Sequence, residues 1–166
     1  MELSHQRLIL ESCFTALFRS GESKESLQGA NTGIFVGCCN ADFITGNAGQ
    51  DNLSGYSATG SAFSIMANRM SYALGLTGPS MVIDTACSSS LVSLHVACSL
   101  LREGLCTAAV VSGVNLLLLP ESFIAACKAG MLSPTGIARE PGFRLTLYLY
   151  NRYVSRCFLS CSSIKQ

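Results

Sequence analysis

Residues 80–104 read SMVIDTACSSSLVSLHVACSLLREG. The opening SMVID (80–84) follows a Gly78-Pro79 turn and reads as a buried strand. From Ser88 a helix is expected to run to Gly104. Leu91, Leu94, Cys98 and Leu101 form its stripe, the serines suit its N-terminus, and Gly104 suits its C-cap. Only Thr85, Ala86 and Cys87 then remain for the turn. A strand-to-helix turn this sharp lifts a side chain out of the sheet and sets it at a helix N-terminus, where free N–H groups and the dipole favour an anion. That environment lowers a thiol's pKa and suits it to nucleophilic attack, and the same N–H groups can hold an acyl-transfer oxyanion. The alternative is that Cys87 is a buried small residue, as free cysteines most often are. Position alone leaves both readings open. Cys13, Cys38, Cys39, Cys98, Cys106 and Cys127 take the second.

Outward from this stretch, the same alternation continues. Leu3, Leu10, Cys13, Phe14, Leu17 and Phe18 predict a helix over 3–19, ended by Gly21. GIFVGCC (33–39) reads as a buried strand, and residues 40–60, rich in Gly, Asn, Ser and Asp, read as a long loop. A helix over 61–75 carries Phe63, Met66, Ala67, Met70 and Leu74 on one face. TAAVVSGVNLLL (107–118) predicts another strand, followed by a helix from Pro120 to Lys128. Apolar strands alternating with helices indicate an α/β layered fold around a largely buried, mostly parallel sheet. No regular pattern survives beyond residue 136.

Composition narrows the function. Apolar residues make up 49% of the 166 and charged residues only 13%, an apolar balance typical of chains that bury surface in a larger assembly. No run reaches the ~18 apolar residues of a membrane span, and MELSHQRLILESC has no signal-peptide pattern. A net charge of +1 gives no electrostatic case for nucleic acid or an anionic membrane. The charge is uneven: residues 1–136 hold six Lys/Arg against nine Asp/Glu, and residues 137–166 hold five against Glu140 alone. Nine cysteines, with no C-x-x-C pair, argue for reduced thiols in a cytoplasmic compartment rather than for zinc or disulfides. A nucleophilic cysteine wants a histidine. His95 lies over two helical turns from Cys87, about 12 Å along a helix, and reads as a helix-face residue packed on a neighbour. His5 reads as a surface residue. No G-x-S-x-G elbow, Ser-His-Asp set or G-x-G-x-x-G loop is present.

VIDTACSSSLVSLHVACSLLREG resembles the active-site stretch of β-ketoacyl synthase (ketosynthase) domains of modular polyketide synthases and related fatty-acid synthases. MELSHQRLILESCFTAL is similar to that family's M-D/E-P-Q-Q-R-L-L-L-E helix, and TGIFVG to its next strand. RMSYALGLTGPS, SGVNLLLLPES and AGMLSPTG resemble three further segments, in order, over about residues 1–136. The resemblance implies a thiolase-like fold of two α/β halves in a homodimer, of which this chain would hold an incomplete N-terminal half. It implies that Cys87 is the acyl-accepting nucleophile and that its backbone N–H is an oxyanion donor. The acyl chain would arrive on the phosphopantetheine of an acyl carrier protein, with no cofactor bound by the chain itself. A malonyl-type extender would lose CO2, and its carbanion would attack the Cys87 thioester.

The departures from the family are equally specific. Its H-G-T-G-T and later G-H motifs, which carry the catalytic histidines, do not occur, and IAREPGFRLTLYLYNRYV replaces the run expected after LSPTG. Residues 1–136 are therefore expected to be a partial ketosynthase N-terminal domain. Residues 137–166 are expected to be an unrelated basic, Tyr-rich tail from a truncated or misspliced frame. The expectation is a chain marginally folded alone and without condensing activity. The alternatives are a non-catalytic ketosynthase-like partner or acyl-carrier-binding protein, and a cysteine hydrolase, which lacks a placeable histidine.

Overall fold

Three apolar runs of the sequence become three parallel strands, and their alternating side chains divide the core in two. The computed structural model describes residues 5–40, 42, 55–56, 59–60, 62–133 and 157–160. In chain order these form α1 (His5–Arg19), α2 (Lys24–Leu27), β1 (Thr32–Gly37), α3 (Ser64–Leu74), β2 (Ser80–Ile83), α4 (Ser89–Arg102), β3 (Ala108–Gly113), α5 (Pro120–Lys128) and β4 (Cys157–Ser160). The sheet order is β2-β1-β3-β4. Gly37 stands beside Ile83 on one side and Gly113 on the other, so the three parallel strands end level.

The chain leaves β1 for a neighbour on one side and then crosses back to the other side. Right-handed crossovers in opposite directions place their helices on opposite faces of the sheet. Accordingly, α1 and α3 cover the face carrying Ile34, Val36 and Val110, with Leu8, Ile9, Cys13, Met66, Met70 and Leu74 filling the space between. Helix α4 covers the other face, where Phe35 and Val111 meet Ala97, Leu94 and Leu101. The period-2 alternation of Ile34, Phe35 and Val36 is what feeds both cores.

Several expected faces are corrected. The expected face of α1 included Phe14 and Phe18, but these stack on each other in solvent with ring centroids 6.2 Å apart. The buried stripe runs instead through His5, Leu8, Ile9, Ser12, Cys13 and Leu17. His5, expected on the surface, is 2% exposed. In α4 the sheet-facing positions are Ser89, Ser93 and Ala97, at i, i+4 and i+8, while Leu91 is 70% exposed. The helix comes too close to the strand for large residues: a Cβ on Gly37 would lie 2.6 Å from the Ser90 nitrogen. His95 is exposed rather than packed on a neighbour. Cys39 and Cys127 are exposed rather than buried.

Other expectations hold. Met66, Ala67, Met70 and Leu74 are the buried face of α3, Pro120 opens α5, and Gly104 follows α4 with φ +71°. No element was expected beyond 136, yet Cys157–Ser160 pairs antiparallel with β3, Gly113 opposite Cys157. Apart from β4 the basic stretch from 137 lies outside the described residues, as does most of the expected 40–60 loop. Among the described residues no helix is long and apolar enough to cross a membrane.

Candidate active site

Cys87 sits at the carboxyl ends of the parallel strands, the side on which open α/β sheets place their ligand crevices. The chain leaves β2 at Ile83 and enters α4 at Ser89, so five residues reverse its direction. This needs a left-handed step, and Ala86 takes it with φ +56°. Alanine resists that region by about 1–2 kcal/mol, so surrounding bonds must hold it there. Asp84 Oδ1 accepts from the Ala86 amide at 3.0 Å. Ser88 Oγ donates to the Thr85 carbonyl at 2.7 Å. Ser89 Oγ accepts from the Thr85 amide at 2.9 Å and donates to the Ala86 carbonyl at 2.6 Å. Ser88 and Ser89, expected simply to suit the helix N-terminus, spend their hydroxyls on the turn that precedes it.

The result is an exposed Cys87 ahead of a 14-residue helix. Its surroundings separate it from other cysteines. Burial pushes the Cys13 and Cys38 thiols up to about 11 and raises that of Cys106 as well. Cys39 is raised by partial burial and then by Asp84 and Cys87 close by. The cysteines from 13 to 127 are all free thiols. Among the described residues no group of three or more His, Cys, Asp or Glu is arranged to hold a metal. A cleft of about 440 Å³ lies against β2, the edge strand of the sheet. It is lined by Phe63, Asn68 and Met81 and reaches Cys38 and Asp84.

Neither histidine joins this site. His5 is buried in α1, its imidazole held below the ordinary value by burial, with Asp42 opposing. His95 lies on α4 two turns beyond Cys87 and is exposed.

Two supporting groups were not anticipated from the sequence. Asp42, in the stretch read as loop, accepts from the Leu118 and Leu119 amides at 2.9 and 3.1 Å and from Ser122 Oγ at 2.7 Å. It caps α5, whose own N-cap residue Leu119 offers no side-chain bond. Gln6 accepts from Arg69 Nε at 2.6 Å and donates to the Thr59 and Gly60 carbonyls at 2.8 and 3.0 Å. It thereby ties α1 and α3 to Thr59 and Gly60 ahead of α3, two residues that are helical where a loop was expected. Only Gln6, a polar residue within the helix expected over 3–19, carried any local signal, and Asp42 carried none.

A parallel sheet covered by helices on both faces, with a sharp strand-to-helix turn at the carboxyl end of β2, is the architecture of the thiolase-like class. The model of the β-ketoacyl synthase N-terminal domain matches residues 4–143, and the chain belongs to that family. It is 48% identical over 132 residues to the reducing polyketide synthase grgA of a Penicillium species, covering 79% of this chain and 5% of that one. It is 50% identical over 133 residues to polyketide synthase 19 of Gibberella fujikuroi, covering 79% of this chain and 5% of that one. Among solved structures, the ketosynthase from module 6 of the bacillaene synthase of Bacillus subtilis superposes with a TM-score of 0.68 at 36% identity, over 80% of this chain and 22% of the other. The chain thus spans a small part of each relative.

Proposed function

We propose that this chain carries the nucleophile of a polyketide-type β-ketoacyl synthase, and that Cys87 is that nucleophile. One observation carries the reading: among the exposed cysteines of the described residues, Cys87 alone follows a positive-φ residue, Ala86, in a turn directly ahead of a helix. The Cys87 sulfur adds to the carbonyl of an acyl thioester on the phosphopantetheine of an acyl carrier protein. The oxyanion rests on the Cys87 amide, and the carrier thiol leaves with a proton. A malonyl-type extender then loses CO2, and its carbanion attacks the Cys87 thioester, forming a C–C bond and returning the thiol. Neither His5 nor His95 stands at the elbow to serve as a base for that second half. Condensation thus belongs to an intact ketosynthase, acting in the family as a dimer, and acyl transfer is the half this chain can report.

The test is incubation of the chain with an acyl N-acetylcysteamine thioester, followed by mass-spectrometric mapping of the acylated cysteines. Cys87 is expected to acylate at least about tenfold faster than Cys39 and Cys127. Equal labelling of the three defeats the nucleophile assignment and favours a non-catalytic partner of the same fold.

A further inference from the structure

Ser89 does more than fill the narrow space between α4 and β1. It is 4% exposed, and its hydroxyl uses both its donor and its acceptor capacity on the turn, bonding the Thr85 amide at 2.9 Å and the Ala86 carbonyl at 2.6 Å. The Ala86 carbonyl also accepts from the Ser89 amide at 3.1 Å. That carbonyl belongs to the peptide unit joining Ala86 to Cys87. Peptide units are planar and trans, so the N–H of the unit points opposite to its C=O. Holding the Ala86 carbonyl in the first turn of α4 therefore aims the Cys87 N–H away from that turn. The Ser89 backbone that carries this hydroxyl is itself held: Ser93 Oγ, fully buried, donates to the Ser89 carbonyl at 2.8 Å. On the other side, a Cβ on Gly37 would lie 2.7 Å from the Ser89 carbonyl carbon.

We propose that Ser89 is a positioning residue for acyl transfer at Cys87: through the Ala86 carbonyl, its hydroxyl fixes the orientation of the Cys87 amide that receives the oxyanion. This rests on the reading of Cys87 given above. Removing the hydroxyl leaves the thiol in place but takes away the shorter of the two bonds on the Ala86 carbonyl, leaving only the Ser89 amide at 3.1 Å to hold the peptide plane. The loss falls on a reaction that passes through an oxyanion and spares one that does not.

Two probes of the same sulfur separate these cases in the full chain. Iodoacetamide alkylates Cys87 by displacement of iodide at a saturated carbon, with no oxyanion. The acyl N-acetylcysteamine thioester acylates it through a tetrahedral oxyanion. In Ser89→Ala, acylation of Cys87 is expected to fall on the order of tenfold or more, with alkylation changed less than about twofold. Ser89→Thr, which keeps the hydroxyl, is expected to acylate within about threefold of the parent. Unchanged acylation in Ser89→Ala, or an equal fall in both reactions, overturns the proposal. If Ser89→Ala opens buried Cys13 and Cys38 to iodoacetamide, its fold is lost and Ser89→Thr decides. A selective loss of acylation there, with those two cysteines still closed, also overturns it. If the parent chain acylates Cys87 no faster than Cys39 and Cys127, it is the nucleophile assignment that fails.

Discussion

Ser122 donates to the Asp42 carboxylate at 2.7 Å across 80 positions of sequence, and Asp42 also takes the Leu118 and Leu119 amides that α5 leaves unpaired. One buried carboxylate in the stretch after β1 therefore caps a helix after β3. An anion at this end also complements the helix dipole. Asp42→Ala leaves three donors without their acceptor and is expected to lower stability by about 1–3 kcal/mol. Asp42→Asn, which keeps one acceptor oxygen, should lose less. Urea unfolding of the three chains checks the order, and equal midpoints would show that α5 does not depend on this cap.

The same carboxylate and His5 set an acid limit. Burial lowers the folded His5 pKa, so between that value and about 6.5 the unfolded chain holds the extra proton. Stability is therefore full above about pH 6.5 and falls as the pH drops through this window. Despite the upward push of burial, the hydrogen bonds to Ser122, Leu119 and Leu118 hold Asp42 below the usual carboxylate range. Its contribution, present above about pH 4, is lost as pH falls through the folded value. Urea midpoints should decline from about pH 7.5 to about pH 5.5, and His5→Gln should flatten that part of the curve. A parent curve flat over this range would contradict these assignments.

Gly37 is the contact point between β1 and the elbow. An added Cβ would meet the backbone of Ser89 and Ser90 at 2.6–2.8 Å, where no side chain can swing aside. Gly37→Ala is expected to cost about 1–3 kcal/mol and to displace the start of α4. Melting temperature reads the first effect, and the ratio of Cys87 to Cys127 labelling reads the second. A melting temperature matching the parent's would mean the helix has room to move.

Thiol reactivity should follow burial. With pKa values of about 11, Cys13 and Cys38 are thiolate at roughly one part in a thousand near pH 8, besides being closed to reagent. Short iodoacetamide treatment is expected to label Cys39, Cys87 and Cys127 and to spare those two. Early labelling of Cys13 in a chain with a normal melting curve would contradict the packing of α1 on the sheet.

Apolar surface remains open. Helix α5 buries none of its residues, and Phe123, Ile124, Leu91 and Phe18 are 46–70% exposed. A contiguous apolar patch marks a surface that pairs with other protein, and the 49% apolar composition leads to the same expectation here. The isolated chain is expected to bind an apolar fluorescent dye in its folded state and to sediment above monomer mass. Monomeric sedimentation with no dye binding would count against it.

By itself the sequence determined the order of the main elements from α1 to α5, though not the short α2 or β4, together with the parallel layered class and the family. Those rest on local features: apolar runs, helical spacing, Gly and Pro punctuation, and a contiguous stretch around Cys87. It also marked Cys87 by its place between a strand and a helix. Tertiary structure decided which faces are buried. Close approach of α4 to Gly37 turned Ser89, Ser93 and Ala97 inward beside the expected Leu94 and Leu101 and left Leu91 outside, and packing of α1 put His5 in the core while leaving Phe14 and Phe18 outside. Asp42 with Ser122, and Gln6 with Arg69, were illegible because their partners are separated by 80 and 63 positions, and no local rule joins such pairs. The DTACSSS stretch told of an elbow. Only the folded chain shows that Ser88 and Ser89 bond across the turn, because a hydroxyl's partner is fixed by where the backbone has been bent.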